Sequence, residues 1–179
     1  YGILGFEGEK STAFEPLYPL YLAACRWLAR DNFWLIASLQ IAVAALGGVY
    51  FYKLCFALSQ KKLAAQIGVF LYAFYPYLIR QSVAVIEVSL FTTLLILSAY
   101  SYCMAKDWKS SVGCGALFGL TLLTRSTALP IWCLAVAALI FKRQFLRGSL
   151  LAGSTLVLLL PFLVRNYYVD GSLFPSRSG

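Results

Sequence analysis

The chain is 179 residues long, 61% hydrophobic and only 12% charged, with a formal net charge of +8 and no histidine. Ordinary soluble domains carry about 45–50% apolar and about 25% charged residues, so this composition, with a mean hydropathy of +0.77, excludes a water-soluble fold and points to a polytopic membrane protein. Without histidine, these residues hold no Ser–His–Asp or Cys–His catalytic set and no histidine metal site.

The fifteen lysines and arginines are scattered among apolar runs rather than gathered in a stripe. Anionic lipid headgroups, and not nucleic acid, are therefore the expected partners. The cysteines, Cys25, Cys55, Cys103, Cys114 and Cys133, stand singly with no CxxC spacing and read as small core residues. Met104 is the single methionine and the chain opens on Tyr1, so upstream residues are expected and no signal peptide is legible.

In chain order, residues 1–16 are the most polar stretch, with Gly2, Gly5, Gly8, Glu7, Glu9, Lys10 and Glu15, and read as a loop outside the hydrocarbon. From Leu17 to Arg30, Leu20, Ala24, Trp27 and Leu28 share one helical face and Arg26 and Arg30 the other, the pattern of a helix lying in the membrane interface. Asp31 or Asn32 is placed to cap the next helix. Six apolar spans are expected near 33–57, 63–79, 83–104, 111–124, 128–141 and 149–164, set against the about 20 residues that cross a bilayer core. The fourth and fifth are short, and an alternative merges 111–141 into a re-entrant pair broken around Arg125 and Pro130. Pro76, Pro130 and Pro161 are expected to kink or end helices.

The expected architecture is thus an all-α transmembrane bundle: an external loop and interfacial helix over 1–32, the spans over 33–165 and the start of an external loop over 166–179. Beyond the alternation of hairpins no internal repeat is legible. If the spans alternate, Lys53, Lys61, Lys62, Lys106, Lys109, Lys142, Arg143 and Arg147 fall on one side, which the positive-inside rule makes cytoplasmic. Arg80, Arg125 and Arg165 then fall on the opposite side, with Glu87 about one turn inside it.

A charge inside an apolar run is costly unless it meets a polar pocket, which makes Glu87 the first candidate site residue. Arg80, Arg125 and Arg165, flanked by Tyr75, Tyr77, Asn166, Tyr167 and Tyr168, can cradle a phosphate, because a guanidinium stays charged and donates in pairs. Plainer alternatives stand beside each: an aromatic belt for the tyrosines, a lipid anchor for Arg165, a buried salt bridge from Glu87 to Arg80 or Arg125.

These stretches resemble a known family. TAFEPLYPLYLA is similar to the PPLYPLLLA stretch of lipid-linked-sugar glycosyltransferases of the C superfamily (GT-C), specifically family 39, related to dolichyl-phosphate-mannose protein mannosyltransferases and bacterial aminoarabinose transferases. In the same order, YPYLIRQSVAVIEVSLFTTLL resembles that family's span with an acidic residue before SLF, LLTRSTALP its LTRP or TKGP turn, and PFLVRNYYVDGSLFPSRSG its PWxxRNYxxFGxFVPxS stretch. The resemblance implies transfer of a sugar from a polyprenyl-phosphate donor to a lipid, glycan or protein acceptor, in the bacterial inner membrane with the site facing the periplasm or exterior. It puts Glu87 in the place of a supporting carboxylate and Arg125 in that of the basic residue facing the donor phosphate. Arg80 or Arg165 would help neutralise the leaving phosphate. The family's catalytic aspartate lies upstream of the PLYP stretch and has no counterpart here. Glu15 stands where the family more often has Pro, Lys or Arg, and no role passes to it. Whether a divalent metal ion takes part stays open. Two other readings survive at this point: a transporter or flippase for an anionic or lipid-linked substrate, and a non-catalytic assembly subunit.

Overall fold

The computed structural model describes residues 16–30, 32–84 and 86–170. The N-terminal loop with Glu15, the alternative cap Asp31 and the C-terminal residues 171–179 lie outside the described residues. What is described is all-helical: α1 Leu17–Ala29, α2 Phe33–Ser59, α3 Lys62–Ala73, α4 Pro76–Val83, α5 Val88–Met104, α6 Trp108–Thr124, a 3-10 turn Ser126–Ala128, α7 Leu129–Phe141 and α8 Phe145–Asp170.

Local chemistry sets the boundaries. Asn32 caps α2, its Oδ1 accepting from the Trp34 amide at 3.0 Å, and α2 ends where Gln60 turns left-handed at φ 55°. The expected second span is instead two helices bent by 53°. Pro76 lacks an amide hydrogen and so cannot continue α3, but it fits the first turn of α4. Pro130 likewise opens α7. Pro161 lies inside α8, which continues to Asp170 in place of the loop expected from 166. Asp107 and Ser110 form a reciprocal capping box at the start of α6.

Pairing between helices follows from a few contacts. Gln40 bonds Ile86, Thr93 bonds Val43, and the Tyr50 and Tyr100 rings meet edge to face at 5.5 Å; α2 and α5 therefore run parallel. Arg147 reaches Ser111, and Thr155 donates to the Gly115 carbonyl at 2.8 Å, so α6 and α8 also run parallel. Helix α3 returns along α2, with Tyr72 donating to Ala44 O at 3.3 Å. Helix α7 returns along α8, with Trp132 Nε1 donating to Thr155 Oγ1 at 3.1 Å. Contacts between α5 and α6, including a 3.0 Å Ser98–Thr121 bond, join the two halves.

The interior mixes apolar side chains such as Phe118, Leu139 and Leu151 with polar ones, and the outside is strongly apolar. Gln40, Thr93, Ser98, Thr121, Thr124 and Thr155 are buried, while Trp27, Phe141, Leu134 and Leu146 are among the many large apolar side chains left exposed. Only 11% of the apolar window of α2 and 17% of that of α8 is buried. Such a surface is unsustainable in water and natural in lipid. Two helices, Phe33–Ser59 and Phe145–Tyr168, are long and apolar enough to cross a membrane, and the bent pair makes a third if it is one span. Helix α5 and the segment Ser126–Phe141 are apolar but shorter.

Candidate functional site

Because the helices alternate, one end of the bundle gathers the start of α2, the end of α4, the start of α5, the end of α6 and the end of α8. Arg80, Glu87, Arg125 and Arg165 lie toward this end. The opposite end carries Lys61, Lys62, Lys106, Lys109, Lys142 and Arg143. There Arg147 is spent on the fold: it donates to Ala105 O, to Gln144 Oε1 at 2.7 Å and to Ser111 Oγ at 3.5 Å.

Glu87 sits half-buried at the N-cap of α5, and its side chain caps no amide of that helix. Its carbonyl accepts from the Phe91 amide at 2.9 Å. The Arg125 guanidinium lies over the Phe91 ring, 5.8 Å from its centroid. The acid and the ring beneath the arginine thus share the first turn of α5, and among the described residues Glu87 makes no salt bridge to Arg80 or Arg125. Arg125 reaches this place because α6 ends at Thr124 and its own backbone turns extended, at φ −155° and ψ 121°.

Two further residues join Glu87. Gln40, 1% exposed, donates from Nε2 to the Ile86 carbonyl at 2.7 Å, directly before the acid. Tyr18, on α1, lies beside both the Gln40 side chain and Glu87. Burial pushes the Tyr18 hydroxyl up to about 12, with the Glu87 carboxylate adding to the rise and Gln40 opposing it. At neutral pH that hydroxyl is a hydrogen-bond donor and not an anion. The face of α1 bearing Leu20, Trp27 and Leu28 is exposed, while Cys25 and Ala29 pack against Ile36.

Buried polar atoms without partners cluster at the same end. Tyr21 Oη, Gln40 Oε1, Gln81 Oε1 and Asn166 Nδ2 have none among the described residues. In the middle of the bundle, by contrast, Thr93, Ser98, Thr121 and Thr155 all bond carbonyls or one another. Unsatisfied buried groups are costly, and of these four Gln40 is the one tied to the turn before Glu87, through its bond to Ile86.

The other candidates stand apart. Arg80 is exposed on α4. Tyr75 and Tyr77 are exposed at the α3–α4 bend, with ring centroids 6.3 Å apart. Arg165 is half-buried and donates to Asn166 Oδ1 at 3.5 Å; Tyr167 and Tyr168 are exposed. Tyr18 and Gln40 escaped sequence reasoning. Gln40 carried the signal that singled out Glu87, a polar side chain inside the apolar run ASLQIAVAA, and Tyr18 is the tyrosine of PLYP. Among the described residues no three His, Cys, Asp or Glu converge, and Asp107 lies at the far end from Glu87. Hard cations need several oxygen ligands.

Replacing Gln40 with methionine tests its role as a brace for Glu87. It removes the bond to Ile86 O and the orphan Oε1 together, so stability should change by about 1 kcal/mol or less. The denaturation midpoint in detergent should accordingly stay near that of the wild type.

No family of known proteins, no curated protein and no solved structure matches this chain. What fold and composition define is an all-helical protein with two helices that fit a membrane span.

Proposed function

We propose that the chain forms the membrane-embedded part of a lipid-linked-sugar transferase of the C superfamily, family 39, with six spans and its site on the outer face of the bacterial inner membrane. The observation that carries this reading is that Glu87 opens α5 while the Arg125 guanidinium lies over the ring of Phe91, one turn along the same helix. In such a transfer the acceptor oxygen attacks the anomeric carbon and gives up its proton to a base. The bond from that carbon to the phosphate oxygen breaks, and its electron pair leaves with the polyprenyl phosphate. Arg125 neutralises the departing phosphate, and Glu87, steadied by Gln40 and facing the Tyr18 hydroxyl, orients the sugar or acceptor hydroxyls. Glu87 is the described carboxylate at this end and takes the supporting role. The family-39 motifs in PLYP, IEVSLF, LLTRSTALP and VRNYY support the same assignment. The end rich in lysine faces the cytoplasm.

The test is transfer of a radiolabelled sugar from a polyprenyl-phosphate donor by the full-length protein in vesicles, with lipid, glycan and peptide acceptors offered in turn. Sugar leaving the donor for an outer-face acceptor is the expected result. The bent α3–α4 pair favours one other reading, a flippase built on a broken helix. Movement of the intact donor between leaflets, with no sugar released, would establish that reading instead.

A further inference from the structure

An apolar groove of about 680 Å³ runs between α2 and the bent pair α3–α4. On α2 its floor includes Ile41, Ala45, Val49 and Lys53, a single helical stripe that no other helix covers. The 53° bend lies within the opposite wall, between Ala73 on α3 and Leu78 on α4. From Ile41 to Lys53 it extends about 18 Å, close to the about 15 Å of hydrocarbon in one leaflet.

The polar groups in it are sharply asymmetric. Toward the Glu87 end the Ser82 hydroxyl is already used, donating to Ile79 O at 2.8 Å. Midway, the Tyr72 hydroxyl is committed to Ala44 O. At the other mouth stands Lys53, the single charged lining residue, its Nζ 4.7 Å from the Tyr50 ring centroid. Lys61 and Lys62, both exposed, follow in the α2–α3 connection at the same end.

We propose that this groove is a binding site for one anionic glycerophospholipid of the lysine-side leaflet, its acyl chain against Ala45 and Val49 and its phosphate at Lys53. The charge pattern sets the polarity: the one charged side chain that lines the groove, Lys53, stands at the end away from Glu87 with Lys61 and Lys62 beyond it, whereas at the Glu87 end the Ser82 hydroxyl is committed and Arg80 lies on α4 outside the lining. The site is separate from the sugar-transfer centre and does not depend on that chemistry. It ties α2 to the bent pair where protein contacts leave a gap.

Native mass spectrometry tests it, on full-length protein released from nanodiscs containing equal phosphatidylglycerol and phosphatidylcholine of matched chains. The wild type should retain one phosphatidylglycerol in preference to phosphatidylcholine. Lys53→Gln should lower that preference about fivefold, the worth of one lysine near an anionic headgroup. Ala45→Phe, at an exposed position on the groove floor, should abolish retention of either lipid while circular dichroism shows unchanged helix content. Retention in the bulk lipid ratio, retention unaffected by both substitutions, or displacement of the lipid by added polyprenyl phosphate would each overturn the proposal, the last by assigning the groove to a donor tail.

Discussion

Replacing Gly115 with leucine should unseat α8 from α6 and lower stability by about 3 kcal/mol or more, at the upper end of overpacking penalties. A Cβ on Gly115 would fall against Ser154 Oγ and Leu151 O and lie 3.0 Å from Leu151 Cα. The serine can rotate away, but the two Leu151 atoms are backbone and move only if α8 itself moves. One turn further on, Gly119 meets Leu158 Cβ at 3.1 Å and Thr155 O at 3.4 Å. The stretch GALFG is thus a small-xxx-small contact that lets the two helices approach closely. Displacing α8 would also break the Thr155 bonds to Gly115 O and to Trp132 Nε1, so α7 would loosen with it. Gly153 is the control, since nothing lies within 4 Å of a Cβ built there. Denaturation midpoints in detergent should fall sharply for Gly115→Leu and stay near wild type for Gly153→Leu. Equal midpoints would show that the α6–α8 contact is not close packed.

The second large effect is expected at Arg125. Truncation to alanine should cut sugar transfer about 10²–10³-fold, the usual loss for one group stabilising developing charge, while leaving membrane insertion intact. The side chain and the turn it comes from are separable. The Arg125 backbone amide donates to Thr121 O at 3.0 Å and its carbonyl accepts from Ala128 at 3.2 Å, bonds that alanine keeps. What is lost is the guanidinium over Phe91. Arg125→Lys should fall between, because lysine keeps the charge but not the planar pair of donors. Transfer at the wild-type rate by Arg125→Ala would remove the arginine from the mechanism.

Helix positions were largely legible because hydrophobic runs and terminus chemistry are local. Asn32 caps as its residue type predicts, and the apolar stretches became helices with ends moved by a few residues. The break at Phe74–Tyr75 was foreshadowed by Pro76, but the fate of a proline depends on where a helix can restart. At Pro76 and Pro130 new helices begin, and at Pro161 the helix runs on. Partner choice was not legible. That α2 lies beside α5, and α6 beside α8, rests on Gly47 against Thr93 and Gly115 against Leu151, matches between distant segments that no window of sequence reveals. The candidate site divides in the same way. Glu87 and Arg125 stood out as charges within apolar runs, whereas Gln40 and Tyr18 drew attention only once folding had set them beside the acid.

The parallel pairs bear on how the protein is made. As the chain emerges from the ribosome, α2 cannot bond Ile86 or Thr93 until the return helices and α5 have followed, a separation of 46 to 50 residues. Helix α6, with its glycine contact surface, must likewise wait for α8, 40 residues beyond Gly115 at Thr155. Each half therefore keeps part of its inner face unmatched until its third member arrives. A ribosome stalled before α8 should leave α6 exposed to quality-control proteolysis.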